Sequence, residues 1–374
     1  MNNSLRVGNL FGIPFYINPS WFLVLALVTW NNGSWLSYQF PQLGAIAWLL
    51  GLMMALLLFA SVLAHELGHS WVAIRQGTEV KSITLFIFGG LASLGEESKT
   101  PGEAFRVAIA GPMVSFFLFG LLNAIGYFSG ITGPLAAVIA LLTYVNLALG
   151  AFNLIPGLPL DGGNVLKAIV WKITGKPYQG LAFASRVGQV FGWVAVGLGL
   201  ASVLGLSQIG SVWTLLVGFF LLQNAGQSAQ AASVQRLMSG LTAADAIIPN
   251  SPMVSAESSL REFANAHIIG NAVTWKKYLV TDAGGKLTGE ILVDDIKTVP
   301  TNDWWDVSVQ SLTRSPDDVK TITSDTPLLE VINLLNETVP ALAVVKKEDG
   351  ALMGLLEKSS IVQRLQQKTE AEPA

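Results

Sequence analysis

Three residues near position 65 have the types and the spacing to hold a metal ion and to use it. Residues 64–70 read A-H-E-L-G-H-S and contain the pattern H-E-x-x-H. On a helix, His65 and His69 lie about 40° apart on one face with Glu66 at the edge of the same arc, so all three side chains reach one small volume. Two neutral imidazoles can bind zinc there. A carboxylate beside them that is not itself a ligand can take a proton from water as the water attacks a carbonyl. Glu66 is the candidate base. The bland alternative is a helix with two packed histidines and a stray acid. It is a costly one, because residues 46–64 carry no charge and an unpaired carboxylate at such depth is strongly disfavoured.

A second unusual stretch follows about 80 residues later. Residues 146–163 read N-L-A-L-G-A-F-N-L-I-P-G-L-P-L-D-G-G. Its two prolines and four glycines break an apolar helix and present Asp161, the only acid between Arg106 and the polar C-terminal part. Catalytic zinc typically takes three protein ligands and leaves one position open, and Asp161 is the best candidate for the third. The charge of the ion together with the carboxylates of Asp161 and Glu66 sums to zero, so both acids can stay ionised. Read without a metal, Asp161 is a solvated acid capping the next helix. Asn153, about two helical turns earlier, is a candidate donor to a developing oxyanion, or else an amide that caps broken helix backbone.

The elements that must position these groups are set by composition. The 374 residues are 51% hydrophobic and 13% charged, a balance that belongs to a membrane protein. Of the 47 charged side chains, 15 fall in residues 1–230 and 32 in the final 144, so the chain reads as two bodies, residues 1–230 in lipid and 231–374 in water. Cysteine is absent, which excludes disulfides, a thiolate nucleophile and a Cys-ligated metal. A net charge of -3 without a basic cluster gives no reason to expect nucleic acid as a partner. The N-terminal residues lack the charged start and small-residue cleavage site of a secretory signal, so the first span is expected to be retained.

Apolar runs of spanning length lie at 14–30, 44–77, 104–127, 134–158, 184–204 and 211–230, which predicts six transmembrane helices. All nine Lys and Arg of this part avoid the connections 31–43, 128–133 and 205–210. The positive-inside rule therefore puts the N-terminus, residues 78–103, residues 159–183 and the C-terminal body in the cytoplasm. Residues 80–88 are rich in β-branched and aromatic types and end at Gly89-Gly90, a strand followed by a turn. If this segment dips against the bundle, its free edge could pair with an extended substrate. Otherwise it is an ordinary cytoplasmic hairpin.

H-E-L-G-H in a transmembrane helix, followed about 90 residues later by F-N-L-I-P-G-L-P-L-D-G-G, resembles the site-2 protease family of intramembrane zinc metalloproteases over roughly residues 1–230. The resemblance implies His65, His69 and Asp161 as ligands of one Zn²⁺, Glu66 as catalytic base and Asn153 as a residue lining the site. It also implies a membrane-tethered protein as substrate, such as an anti-sigma factor or a membrane-bound transcription factor. No stretch reads as the PDZ domain that some members insert. The third histidine, His267, lies apart and reads as a surface residue.

The C-terminal body shows a loose internal repeat, 241–299 and 308–367, each half with a helix, a strand, a turn at Gly284-Gly285 or Asp349-Gly350, and a second strand. This order resembles a tandem pair of CBS domains, modules that often bind adenosyl nucleotides and pair into dimers. The family's closing pattern G-x-x-T-x-x-D-I keeps its acid only as Asp295, while Leu292, Glu357 and Ser360 replace the other expected positions. The fold class expected is thus a polytopic α-helical membrane protein of about six transmembrane helices, with a short β segment after the second, joined to a soluble α/β tandem CBS domain. Its expected address is the plasma membrane, or an internal membrane such as a thylakoid, with both the N-terminus and the CBS pair cytoplasmic. A competing reading is a CBS-gated transporter or channel, since transporters also carry polar groups at membrane depth. It gives no reason for H-E-x-x-H with a distant L-D-G.

Overall fold

The N-terminal residues pair as strands before any helix begins. Strands β1 (Leu5–Leu10) and β2 (Ile13–Ile17) form an antiparallel hairpin, turned at Phe11 and Gly12, both with positive φ. Helix α1 (Ser20–Gln39) follows Pro19, and α2 (Ile46–Arg75) carries the H-E-x-x-H residues in its second half. The chain then returns to the sheet as β3 (Val80–Phe86) and β4 (Gly89–Leu94). Strand order is β1-β2-β3-β4, with β2 parallel to β3 and β4 antiparallel to β3, so among the described residues one side of β4 pairs with no strand.

The computed structural model describes residues 4–248, 251–269, 275–315, 320–337 and 341–371. Its chain divides into two units, residues 1–233 and 234–374. The first continues through α3 (Pro101–Phe128), α4 (Pro134–Asn153), α5 (Asp161–Thr174), α6 (Pro177–Val203) and α7 (Val212–Met238), whose residues from 234 on belong to the second unit. A capping box starts α3: Thr100 Oγ1 accepts from the Glu103 N–H at 3.2 Å and the Glu103 carboxylate accepts from the Thr100 N–H at 3.1 Å.

Among the described residues, four helices are long and apolar enough to cross a membrane, namely α2, α3, α4 and α6. The other two expected spans fall mainly in α1 and α7, which do not meet that measure of length and hydropathy. Run 14–30 is divided between β2 and α1, because Pro14 and Pro19 favour extended or turning backbone. The second half of α1 also carries Asn31, Asn32 and Ser34, and that of α7 is rich in Gln and Ser. The expected span 134–158 stops at Asn153, where a turn over 154–160 leads into α5.

That turn is held by contacts between backbones. The Leu158 N–H donates to the Ala184 carbonyl at 3.2 Å and the Leu160 N–H to the Gly157 carbonyl at 3.0 Å. A β-carbon on Gly162 would overlap the Leu154 and Ile155 carbonyls, and one on Gly163 would overlap the backbone at Gly157 and Leu158. The glycines after Asp161 therefore let α5 start against the turn, and this fixes where Asp161 stands.

The second unit repeats one pattern twice. Strand β5 (Met253–Ser255), α8 (Leu260–His267), β6 (Lys277–Thr281) and β7 (Leu287–Leu292) form one half. Strand β8 (Thr321–Thr323), α9 (Leu328–Glu337), β9 (Ala341–Val345) and β10 (Leu352–Glu357) form the other, closed by α10 (Lys358–Ala371). In each half the first strand is parallel to the second and the third antiparallel to it. The hairpins turn through Gly285 and Gly350, at φ +76° and +72°. Replacing Gly163 by Ala should lower the stability of the membrane unit by about 1–3 kcal/mol or more, because the added methyl meets backbone that cannot swing away. Thermal unfolding in detergent checks this, with Gly120→Ala, where nothing crowds the β-carbon, as the comparison.

Candidate metal centre

One turn of α2 sets both imidazoles facing the same point, with His65 Nε2 and His69 Nε2 3.3 Å apart. Asp161, the first residue of α5, brings its Oδ2 to 3.0 Å from His65 Nε2 and 3.2 Å from His69 Nε2. These three form the one group of three or more His, Asp or Glu among the described residues whose ligand atoms all lie within 4.8 Å of one another. Both histidines are buried and Asp161 is largely so.

The donor set fits a cation. His69 Nδ1 lies 2.7 Å from the Val107 carbonyl oxygen, and a carbonyl can only accept, so Nδ1 carries a proton. In the neutral imidazole, Nε2 is then a lone pair aimed at another lone pair on a carboxylate oxygen. A metal ion between these atoms turns the repulsion into ligation, and an N₂O set without sulfur suits zinc. Without a metal, the His69–Asp161 contact would require a doubly protonated imidazole, because the Val107 carbonyl already takes the Nδ1 proton.

Helix α3 comes unusually close to this cluster. A β-carbon on Gly111 would overlap His69 Nε2 and lie 2.6 Å from His65 Nε2. Ser115, fully buried on the same helix, has Oγ 2.9 Å from His65 Nδ1. On the opposite side, Glu66 takes the backbone N–H of Ala92 on β4, and a β-carbon on Gly90 would fall on the Glu66 side chain. The glycines at 90 and 111 thus leave room for functional groups and not for side chains of their own.

His65, Glu66, His69, Asn153 and Asp161 line one cavity of about 320 Å³, together with Gly90, Leu91, Ala92 and Leu94 of β4. Asn153 donates through Nδ2 to the Leu149 carbonyl one turn back, at 3.0 Å, so one of its two N–H groups is in use. Lys167 and Glu97 also line the cavity and pair at 3.2 Å. Reading the sequence missed Gly90, Gly111 and Ser115. The only signal for the last two was a run of small or apolar residues at four-residue spacing in α3.

Asp295 belongs to the second unit. Both its oxygens are held by Arg314, Nε to Oδ2 at 3.0 Å and Nη2 to Oδ1 at 2.7 Å, a bidentate fork. Ser360 is turned to local backbone, donating to the Glu357 carbonyl at 2.8 Å and accepting the Glu357 N–H at 3.2 Å. His267 is half-buried and not fully exposed, its ring 5.5 Å from Phe263 and 5.1 Å from Tyr278. Burial holds its pKa below the ordinary imidazole value.

Residues 53–137 and 131–195 match the profile of Peptidase family M50, and residues 309–367 match that of the CBS domain. The candidate zinc metalloprotease sll0528 of Synechocystis sp. is 55% identical over 367 residues, covering 98% of this chain and 96% of the relative. The chain belongs to peptidase family M50. The M50 chain is also similar to the candidate zinc metalloprotease Rip3 of Mycobacterium tuberculosis, 32% identical over 378 residues, covering all of this chain and 95% of the relative. Among solved structures it resembles the site-2 protease from Methanocaldococcus jannaschii, at 30% identity over 60% of this chain and 95% of that one, with a TM-score of 0.45.

Family membership makes this M50 protein a multi-pass membrane metalloprotease that uses zinc, with a C-terminal CBS part. It decides for the enzyme and against the transporter. Gly111→Ala should lower zinc affinity by about tenfold or more, since the methyl pushes the imidazoles off the positions their partners define. Gly120→Ala on the same helix, with open space at its β-carbon, should leave affinity unchanged. Chelator competition on the purified protein measures both.

Proposed function

We propose that residues 1–230 are an intramembrane zinc endopeptidase that cleaves a membrane-tethered protein, and that residues 231–374 are its cytoplasmic regulatory CBS pair. The observation that carries the reading is the convergence of His65, His69 and Asp161 at 3.0–3.3 Å beside Glu66 and the free edge of β4. His65, His69 and Asp161 hold the ion. Bound there, zinc supplies Lewis acidity that polarises a carbonyl and makes water nucleophilic near neutral pH.

The chain's own groups do the rest. Glu66 takes the proton from the attacking water and returns it to the leaving amide nitrogen, as a general base and then a general acid. Asn153 uses its second N–H to steady the charge developing on the carbonyl oxygen. A substrate helix must unwind to be cut, and its extended backbone pairs with the unpaired edge of β4, which satisfies peptide groups that lipid would leave bare. Of the two earlier readings of the hairpin, substrate pairing is favoured by β4 lining the cavity.

The substrate class proposed is a single-span regulator, such as an anti-sigma factor or a membrane-bound transcription factor, released by the cut. The CBS pair adds regulation and a homodimer contact in the cytoplasm, and the protein's membrane is the plasma membrane or an internal photosynthetic one. An adenine nucleotide using Asp295 must first displace Arg314 from its carboxylate, which makes Arg314 a ready partner for the phosphate.

Replacing Glu66 by Gln should keep zinc at one per chain while cleavage of a single-span reporter falls by about 10²–10⁴. Full cleavage in this variant would end the peptidase mechanism. For orientation, single cysteines at Ser129 and Ser207 should react with a membrane-impermeant thiol reagent applied to intact cells, whereas those at Ser98 and Ser324 should not.

A further inference from the structure

Helix α3 presents three residues to the imidazoles at a spacing of four. Val107, Gly111 and Ser115 fall on one face of the helix, and α3 runs antiparallel to α2, with Gln76 near Glu103 at one end and His65 near Ser115 further along. The contacts pair off in reverse order. The Val107 carbonyl takes the Nδ1 proton of His69 at 2.7 Å, Gly111 leaves space for both Nε2 atoms, and Ser115 Oγ stands 2.9 Å from Nδ1 of His65.

The two outer partners differ in kind. A backbone carbonyl has only one role, so it fixes the tautomer of His69 by itself. A hydroxyl can donate or accept, so the tautomer of His65 depends on what Nε2 faces. That atom faces Asp161 Oδ2 at 3.0 Å and His69 Nε2 at 3.3 Å, both lone pairs. With a cation among them, Nε2 of His65 must also be a lone pair, its proton sits on Nδ1, and Ser115 Oγ accepts it. Ser115 is fully buried, so no water stands by to replace it.

We propose that Ser115 is a positioning residue for the metal site, holding His65 in its Nδ1–H form and in the rotamer that aims Nε2 at the ion. This rests on the zinc reading given above. It assigns to α3 the orientation of both imidazoles, one through backbone and one through a side chain, so only the second can be removed by substitution. Outer partners of metal-bound histidines typically change affinity by about 10–100-fold when lost.

The test is zinc affinity of the full-length protein in detergent, measured by competition with a chelator of known strength. Ser115→Ala should weaken zinc by about 10–100-fold, and Ser115→Thr, which keeps the hydroxyl, should stay within about threefold of the parent protein. In a His65→Ala background, Ser115→Ala should cost no further affinity, because the partner it positions is gone. A serine that merely fills space would weaken zinc by the same factor in both backgrounds, and that result, or a Ser115→Ala affinity within about twofold of the parent, overturns the proposal. If Ser115→Ala does not fold, Ser115→Gly against Ser115→Thr decides in the same way: weak against tight supports it, equal affinities overturn it. A parent protein that binds no zinc at all defeats the zinc reading itself, whereas equal zinc binding by parent and Ser115→Ala defeats only the role of Ser115.

Discussion

The membrane unit depends on keeping three acceptor atoms together where none of them can be neutralised by water. His65 Nε2, His69 Nε2 and Asp161 Oδ2 sit within 3.3 Å of one another in a part of the chain that is otherwise apolar. Left to themselves, lone pairs at that distance repel, and desolvation adds to the cost. A divalent cation between them would turn that repulsion into ligation, and zinc, which this family uses, is such a cation. One constraint therefore serves both folding and chemistry.

Holding the acceptors takes close approach of backbone to side chain at several points. Gly111 brings α3 onto the imidazoles, Gly90 brings β4 onto Glu66, and Gly162 with Gly163 seats α5 against the turn that ends α4. Each glycine is used where a methyl would collide, and together they draw α2, α3, α5 and the sheet edge around one cavity. The sheet matters because β4, which lines this cavity, has no strand on its outer side among the described residues, with Glu66 already holding the Ala92 N–H. A peptide that must give up its helical hydrogen bonds in lipid can regain them there.

The grouping of His65, His69 and Asp161 was legible where it is written in local spacing. His65, Glu66 and His69 are related by one helical turn, and the Pro-Gly break before Asp161 marks a helix end whatever packs around it. The hairpin was legible as well, but its turn lies at Ile87-Phe88, and Gly89-Gly90, expected as the turn, pair with β3 as the start of β4. What could not be read is what depends on contacts between distant segments. Ser115 lies 50 residues from His65 and looks like any small residue in an apolar helix. Strand β2 was absorbed into the first apolar run because short apolar strands and helix starts share a composition, and β1 before it was not read as a strand. Asp295 kept its place in a recognisable pattern, but its partner Arg314, 19 residues on, belongs to the fold and not to the motif.

The central claim is that two imidazoles and one carboxylate of this chain ligate a single zinc ion. X-ray absorption at the zinc edge on the purified full-length protein tests it most directly. The account predicts two imidazole nitrogens at about 2.0–2.1 Å and carboxylate oxygen at about 2.0–2.2 Å in the first shell, with the imidazole signal falling to one in His65→Ala. A first shell built only of oxygen, or one whose imidazole count does not change in His65→Ala, would contradict it.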